Sequence, residues 1–273
     1  MIWASDLAAD FWRQGRSEAC PVIDMHGHMG PWRAIYLPRA ATDLMIRSMD
    51  ASGVRMLVFT HHAALLCPEI GNAASAEAVR RYPDRLRAYL AINPNYPEIV
   101  ARDLTAFDRQ RDVFVGLKLL AGYHGVAWDH AAYESAWRFA EERGLAVLGH
   151  TWGGSSLDGP EQVRKAAARY RNVRLLCGHA MHGAWDEAVA ITRDLPNVYL
   201  ELTAVLDTDR GAVEKFCRAG LSERVVFGTD LPWFDQHQGI GAILSAEITE
   251  EDRHNILHRN AERLLRGSAG LAF

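Results

Sequence analysis

The stretch VIDMHGHMG, residues 22–30, sets His26 and His28 one residue apart at the end of an apolar run. On an extended strand, side chains at i and i+2 share a face, so both imidazoles can reach one point in space. A metal ion suits that point; a polar turn with both rings facing solvent is the alternative that this segment leaves open. Of the twelve histidines, His26, His28, His61, His62, His150 and His179 end or nearly end apolar runs. His130, His254 and His258 instead fall in helical patterns, where surface or interhelical contacts are expected. Lys118 closes the apolar run VGLK, where an unpaired ammonium is costly, and Asp230 closes VVFGTD. Imidazole and carboxylate together suit zinc, and also manganese, iron or nickel.

These residues need elements that bring them together. Residues 21–28, 54–62, 86–94, 113–120, 145–151, 173–180, 197–203 and 224–230 read as strands. Most are nearly continuous in hydrophobicity, which fits parallel strands buried on both faces. Helical patterns separate them. ATDLMIRSMDASG begins with Thr42 and Asp43 as N-caps and stops at Gly53, HAAYESAWRFAEERG stops at Gly144, and GPEQVRKAAARYRN has Pro160 in its first turn. The last pattern, TEEDRHNILHRNAERLLR, runs from acids to arginines as one dipole-matched helix. Strand then helix, repeated eight times, predicts a single-domain (β/α)8 TIM barrel. A doubly wound sheet competes, but no G-x-G-x-x-G turn follows the first strand. In a barrel the C-terminal strand ends form the active site, and closure sets Asp230 beside His26 and His28.

The totals fit this picture. A chain of 273 residues, 49% hydrophobic and 23% charged, matches one soluble α/β barrel. The net charge of −4 points to no particular partner, and the absence of a basic cluster argues against nucleic acid. No run is apolar enough to span a membrane, and the first residues lack a secretory pattern, so a cytoplasmic location is expected. Cys20, Cys67, Cys177 and Cys217 form no paired motif, and Cys177 reads as core. Residues 1–20 read as an N-terminal helical arm ahead of a barrel over 21–273. Its Trp3, Phe11 and Trp12 suit either a homodimer contact or a seal on their own barrel. Residues 231–247 read as a long irregular insert.

Taken together, IDMHGH, YPDRLRAYLAINP, VGLKLL, VLGHT, LLCGHA, FGTDLPW and ILHRNAERLL resemble the amidohydrolase superfamily over nearly the whole chain. The similarity is to its amidohydrolase-related branch of metal-dependent hydrolases and nonoxidative decarboxylases. It implies a metal in the barrel mouth, with His26, His28 and Asp230 as ligands. In one-metal members the residue matching His150 joins them and that matching His179 touches water or substrate. In two-metal members both hold a second ion, and a carboxylated lysine at the position of Lys118 bridges. One divalent ion, zinc first, is the favoured expectation, and two are the alternative. The implied reaction is hydrolysis of a small ester, lactone or amide, with Asp230 and His179 moving protons; decarboxylation or hydration is the alternative. Lys118, Arg33, Trp152 and His61 are the expected substrate contacts. Lys118 as an internal salt bridge, Arg33 as plain surface and His61 as part of a capping pair are the alternatives. Trp32, Trp185 and Trp233, like Trp152, follow strand ends; they suit pocket walls, or, taken singly, packing among the long loops. Glu201 either partners Lys118 or orients a neighbour.

Overall fold

A computed structural model describes residues 5–209 and 211–271. Eight parallel strands follow one another in order around a barrel: β1 Val22–Met29, β2 Val54–His61, β3 Leu86–Ile92, β4 Phe114–Leu119, β5 Ala146–Trp152, β6 Arg174–His182, β7 Val198–Glu201 and β8 Val225–Val226. Helices alternate with them, which makes the fold a TIM barrel. The strand expected over 224–230 shrinks to two residues, because its second half pairs with β1 by scattered bonds rather than a ladder. Met25 N donates to Phe227 O at 2.9 Å, Asp230 N to His26 O at 2.7 Å and His28 N to Leu231 O at 2.7 Å. These bonds close the barrel and fix Asp230 against the histidine strand.

The apolar residues separate into two layers. Ile23, Met25, Val58, Tyr89, Val115, Leu148, Leu176 and Val226 form one cluster with Ala261, Leu264 and Leu265. The last three lie on the terminal helix Asn260–Ala269, which packs on β1, β4, β5 and β8. Val22, Leu57, Phe59, Leu117, Val147, Leu175 and Leu200 belong to the larger cluster that includes residues of the outer helices. The terminal segment is not one regular helix: a π turn, Asn255–Arg259, separates Glu250–His254 from Asn260–Ala269. A sequence pattern of acids then arginines is blind to one extra residue in a turn.

Two local expectations change, and the N-terminal arm is helical as expected. Thr42 and Asp43 do not cap: the helix Thr42–Ser52 starts after Ala41, while Thr42 Oγ1 donates to Met29 Sδ and Asp43 accepts from Tyr82 Oη at 2.9 Å. The insert expected to be irregular contains the helix Gln236–Ser245, started by Asp235, whose carboxylate accepts from His237 N at 2.9 Å. In the N-terminal arm, Asp6–Gln14 is helical, capped by Ser5, and tied to the barrel by Leu7 N donating to Glu250 Oε1 at 3.0 Å. Phe11 is buried in its own chain and Trp12 is 57% exposed. Trp3 lies outside the described residues. No described helix is long and apolar enough to cross a membrane.

Candidate metal centre

The strand β1 carries two imidazoles inward because its regular alternation breaks. Its register against β2 slips between Asp24 and Gly27. Met25 therefore belongs to the inner apolar cluster, while the next residue, His26, also turns inward to meet Lys118 and Glu201. Asp24 faces the other way and accepts from His26 N, Thr229 N, Thr229 Oγ1 and Gln236 Nε2. Burial pushes the Asp24 carboxyl up to about 7 despite the opposing bonds from Gln236 and Thr229. It braces β1 against the end of β8. The slip is a bulge of the kind that re-aims side chains at active sites.

His26, His28 and Asp230 offer ligand atoms that all lie within 4.8 Å of one another. Asp230 Oδ1 is 3.0 Å from His28 Nε2 and 3.5 Å from His26 Nε2. Yet this buried oxygen has no hydrogen-bond partner. The donors converge on a common point instead of on each other, which is the geometry that a shared cation satisfies and a hydrogen bond does not. Asp230 reaches it from a left-handed backbone, φ 59°, and His179, Ala180 and Met181 at the end of β6 share that conformation with φ 65°, 49° and 56°. Non-glycine residues held there cost about 1 kcal/mol or more each, and such strain gathers at functional sites.

Protonation states follow from burial and neighbours. Burial, reinforced by the Lys118 charge, pushes His26 well below the usual imidazole range. Burial and His150 bring His179 down to about 3. Burial works to raise Asp230, but His26 and His28 outweigh it and hold the carboxyl well below its ordinary range. Neutral rings and an ionised carboxylate are the forms that bind metal. Burial also brings Lys118 down to about 8, against the pull of Asp230 and Glu201. Its Nζ lies 2.7 Å from His26 Nε2, so Lys118 and a metal compete for that lone pair.

The cavity above these groups is about 220 Å³. Trp32, Tyr123, Trp152, Trp233 and Phe234 wall it, with Leu65, Leu120 and Ala204 between them. His62 also enters it. Trp233 Nε1 donates to His62 Nε2 at 2.9 Å, and an indole nitrogen only donates, so His62 Nδ1 carries the proton given to Gly30 O at 2.6 Å. The fixed ring stacks on His28, centroids 5.0 Å apart and 9° from parallel. Trp152 stacks between His150 and His182, and His182 pairs with Asp209 at 2.8 Å.

The structure brings His26, His28, Lys118, His150, Trp152, His179 and Asp230 to one cavity. His150 stands slightly apart, its ring centroid 4.6 Å from that of His179. Arg33 is exposed and lines a separate surface groove with Ile35 and Tyr36, because its loop turns outward after Trp32. His61 faces away and caps a short helix, its Nδ1 accepting from Ala63 N at 3.1 Å. The sequence did not separate His61 from His62, since both follow the same strand; His62 enters the cavity and His61 takes the capping role that stood as the alternative. It also missed Asp158, which stands 3.5 Å from His150 Nδ1, and Tyr123. Only their positions just after β5 and β4 carried any signal.

A TIM barrel with two histidines on its first strand and an aspartate after its eighth, converging in the mouth, is a metal-dependent enzyme scaffold for a divalent ion. A sequence profile of the amidohydrolase family matches residues 23–267, and the chain belongs to that family. It is an enzyme of the amidohydrolase superfamily. Solved structures share the fold at low identity. An uncharacterised TIM-barrel protein from Bordetella bronchiseptica superposes with TM-score 0.75 at 20% identity, covering 92% of this chain and 99% of that one. The 5-carboxyvanillate decarboxylase of Sphingomonas paucimobilis gives 0.72 at 16%, covering 90% and 98%. A dihydroxybenzoic acid decarboxylase from a Polaromonas species, with bound manganese and 2-nitroresorcinol, gives 0.71 at 18%, covering 90% and 96%. No curated protein matches the sequence.

Proposed function

We propose that the protein is a metal-dependent hydrolase of a compact, planar ester or lactone bearing a carboxylate. The observation that supports this most is Asp230: ionised, with Oδ1 unpartnered beside the imidazoles of His26 and His28. His26, His28 and Asp230 would hold a divalent ion, with His150 as a fourth donor. Such an ion supplies Lewis acidity, lowering the pKa of water towards 7 and polarising a carbonyl. Asp230 accepts the proton of the attacking water and returns it to the leaving oxygen. His179, kept neutral with Nδ1 donating to Thr203 O at 3.3 Å, presents Nε2 as an acceptor that shares the proton transfer. Lys118 pairs with the substrate carboxylate, and the rings of Trp32, Tyr123, Trp152 and Trp233 admit a flat molecule and exclude bulk water. Zinc and manganese both suit the donors, and a manganese-bound neighbour makes manganese as good a first choice.

Decarboxylation is the second reading. Aromatic walls and one buried cation also suit an aryl carboxylate, and two of the structural neighbours are decarboxylases of that class. A panel of carboxylated lactones, aryl esters and hydroxybenzoates, run in 18O-water with zinc or manganese, separates the two. Hydrolysis places the label in the product acid; decarboxylation releases carbon dioxide and leaves a new C–H bond. Metal-loaded protein that turns over nothing in the panel speaks against both.

A further inference from the structure

We propose that Asp158 is the positioning residue of His150, holding it as the Nδ1–H tautomer so that Nε2 faces the cavity. Asp158 sits in the loop TWGGSSLDGP, two residues before the helix Pro160–Arg169. An aspartate there is expected to cap the helix, yet the cap residue is Gly159 and no side chain caps. Asp158 instead turns inward, with 2% of its side chain exposed. Its Oδ2 has no hydrogen-bond partner, and neither does His150 Nδ1, the atom 3.5 Å away. Two buried polar atoms without partners, facing each other, each carry a desolvation cost that one bond between them relieves.

The loop is built to deliver this carboxylate. Ser155 Oγ accepts from Leu157 N and Asp158 N, Leu157 O accepts from Trp128 N, and a Cβ on Gly159 would fall 2.2 Å from Ser155 O. The same arrangement already stands closed across the barrel, where Glu201 holds His26. A carboxylate behind a histidine fixes its tautomer and raises its basicity as a ligand. Asp158 and Glu201 thus serve the two histidines in parallel, one from the loop after β5 and one from β7.

The proposal rests on the reading of His150 as a metal donor, and two measurements keep them distinct. Imidazole 15N spectra of metal-free protein should show His150 protonated at Nδ1, a preference lost in Asp158→Ala and kept in Asp158→Asn, whose amide oxygen still accepts. Equal tautomer populations in wild type and Asp158→Ala would overturn the proposal. Titration with manganese should show affinity about 10- to 100-fold weaker in Asp158→Ala. Asp158→Asn should fall between, with folding checked by the melting curve of each variant. Wild-type affinity in His150→Gln would remove His150 from the metal centre and leave the tautomer result standing. Weak binding in His150→Gln together with wild-type binding in Asp158→Ala would overturn the positioning role.

Discussion

His26 Nδ1 lies 2.7 Å from Glu201 Oε2, and both side chains are shut off from solvent. Glu201 Oε1 takes bonds from Thr203 N at 2.7 Å and Thr203 Oγ1 at 2.6 Å, and Oε2 also faces His179 N at 3.4 Å. Burial raises the pKa of this carboxyl, while the donors Thr203 N, Thr203 Oγ1 and His179 N favour its ionised form. His26 must then carry its proton on Nδ1, which leaves the Nε2 lone pair directed at Asp230 and Lys118. One carboxylate on β7 thereby decides which atom of a β1 histidine meets the metal.

Glu201→Ala is expected to weaken manganese or zinc binding by about 10- to 100-fold, because His26 loses its fixed tautomer. Competition against a chelator of known affinity measures this directly. Binding as tight as in the wild type would show that Glu201 is only a buried partner for Lys118.

Gly228 tests the same contact from the other side. A Cβ there would lie 2.0 Å from Glu201 Oε1 and 2.9 Å from His26 Cβ. Gly228→Ala should therefore cost about 1–3 kcal/mol in denaturant unfolding, as overpacking does, and weaken metal binding with it. At Gly154 a Cβ meets nothing within 4 Å. Gly154→Ala is the control, and equal stability of the two variants would count against the packing argument.

The barrel was legible because its strands are buried on both faces: continuous apolar runs marked all eight, and their order fixed which ends share a rim. His26, His28 and Asp230 were legible for the same reason, as polar groups ending apolar runs. What pattern could not show was phase. The bulge that turns both Met25 and His26 inward leaves no composition signal, and the i, i+2 rule held for His26 and His28 only above it. Roles set by a side chain's direction were equally hidden. His61 and His62 are adjacent, but one caps a helix while the other stacks on His28. Asp158 carries no signal in its loop beyond its place after β5, and Arg33 reads as either a gripping cation or plain surface, until the loops are seen to turn one inward and the other out.

Acid should destabilise the metal-free protein through His62. Burial, with the neighbouring His28, brings its pKa to about 4, against 6.5 for a free imidazole. The unfolded chain binds the extra proton between these values, so the contribution is complete above pH 6.5 and is lost as pH falls towards 4. The full loss is about 3 kcal/mol. His62→Gln should flatten the slope of unfolding free energy between pH 6.5 and 4. An unchanged slope would mean that His62 accepts a proton in the folded state as readily as when unfolded.

Asp230→Asn separates chemistry from architecture. The residue sits at φ 59°, a conformation that asparagine tolerates as well as aspartate, and its backbone N–H bond to His26 O survives the change. Barrel closure, and with it the melting temperature of the metal-free protein, should stay close to wild type. What disappears is the ionised oxygen proposed as ligand and proton acceptor. Turnover at saturating metal should fall about 10²- to 10⁴-fold, the range expected when a general base is lost. Circular dichroism and a metal titration beside the rate assay distinguish this from unfolding. Comparable turnover in the asparagine variant, with the metal bound, would move the proton-transfer role from Asp230 to His179.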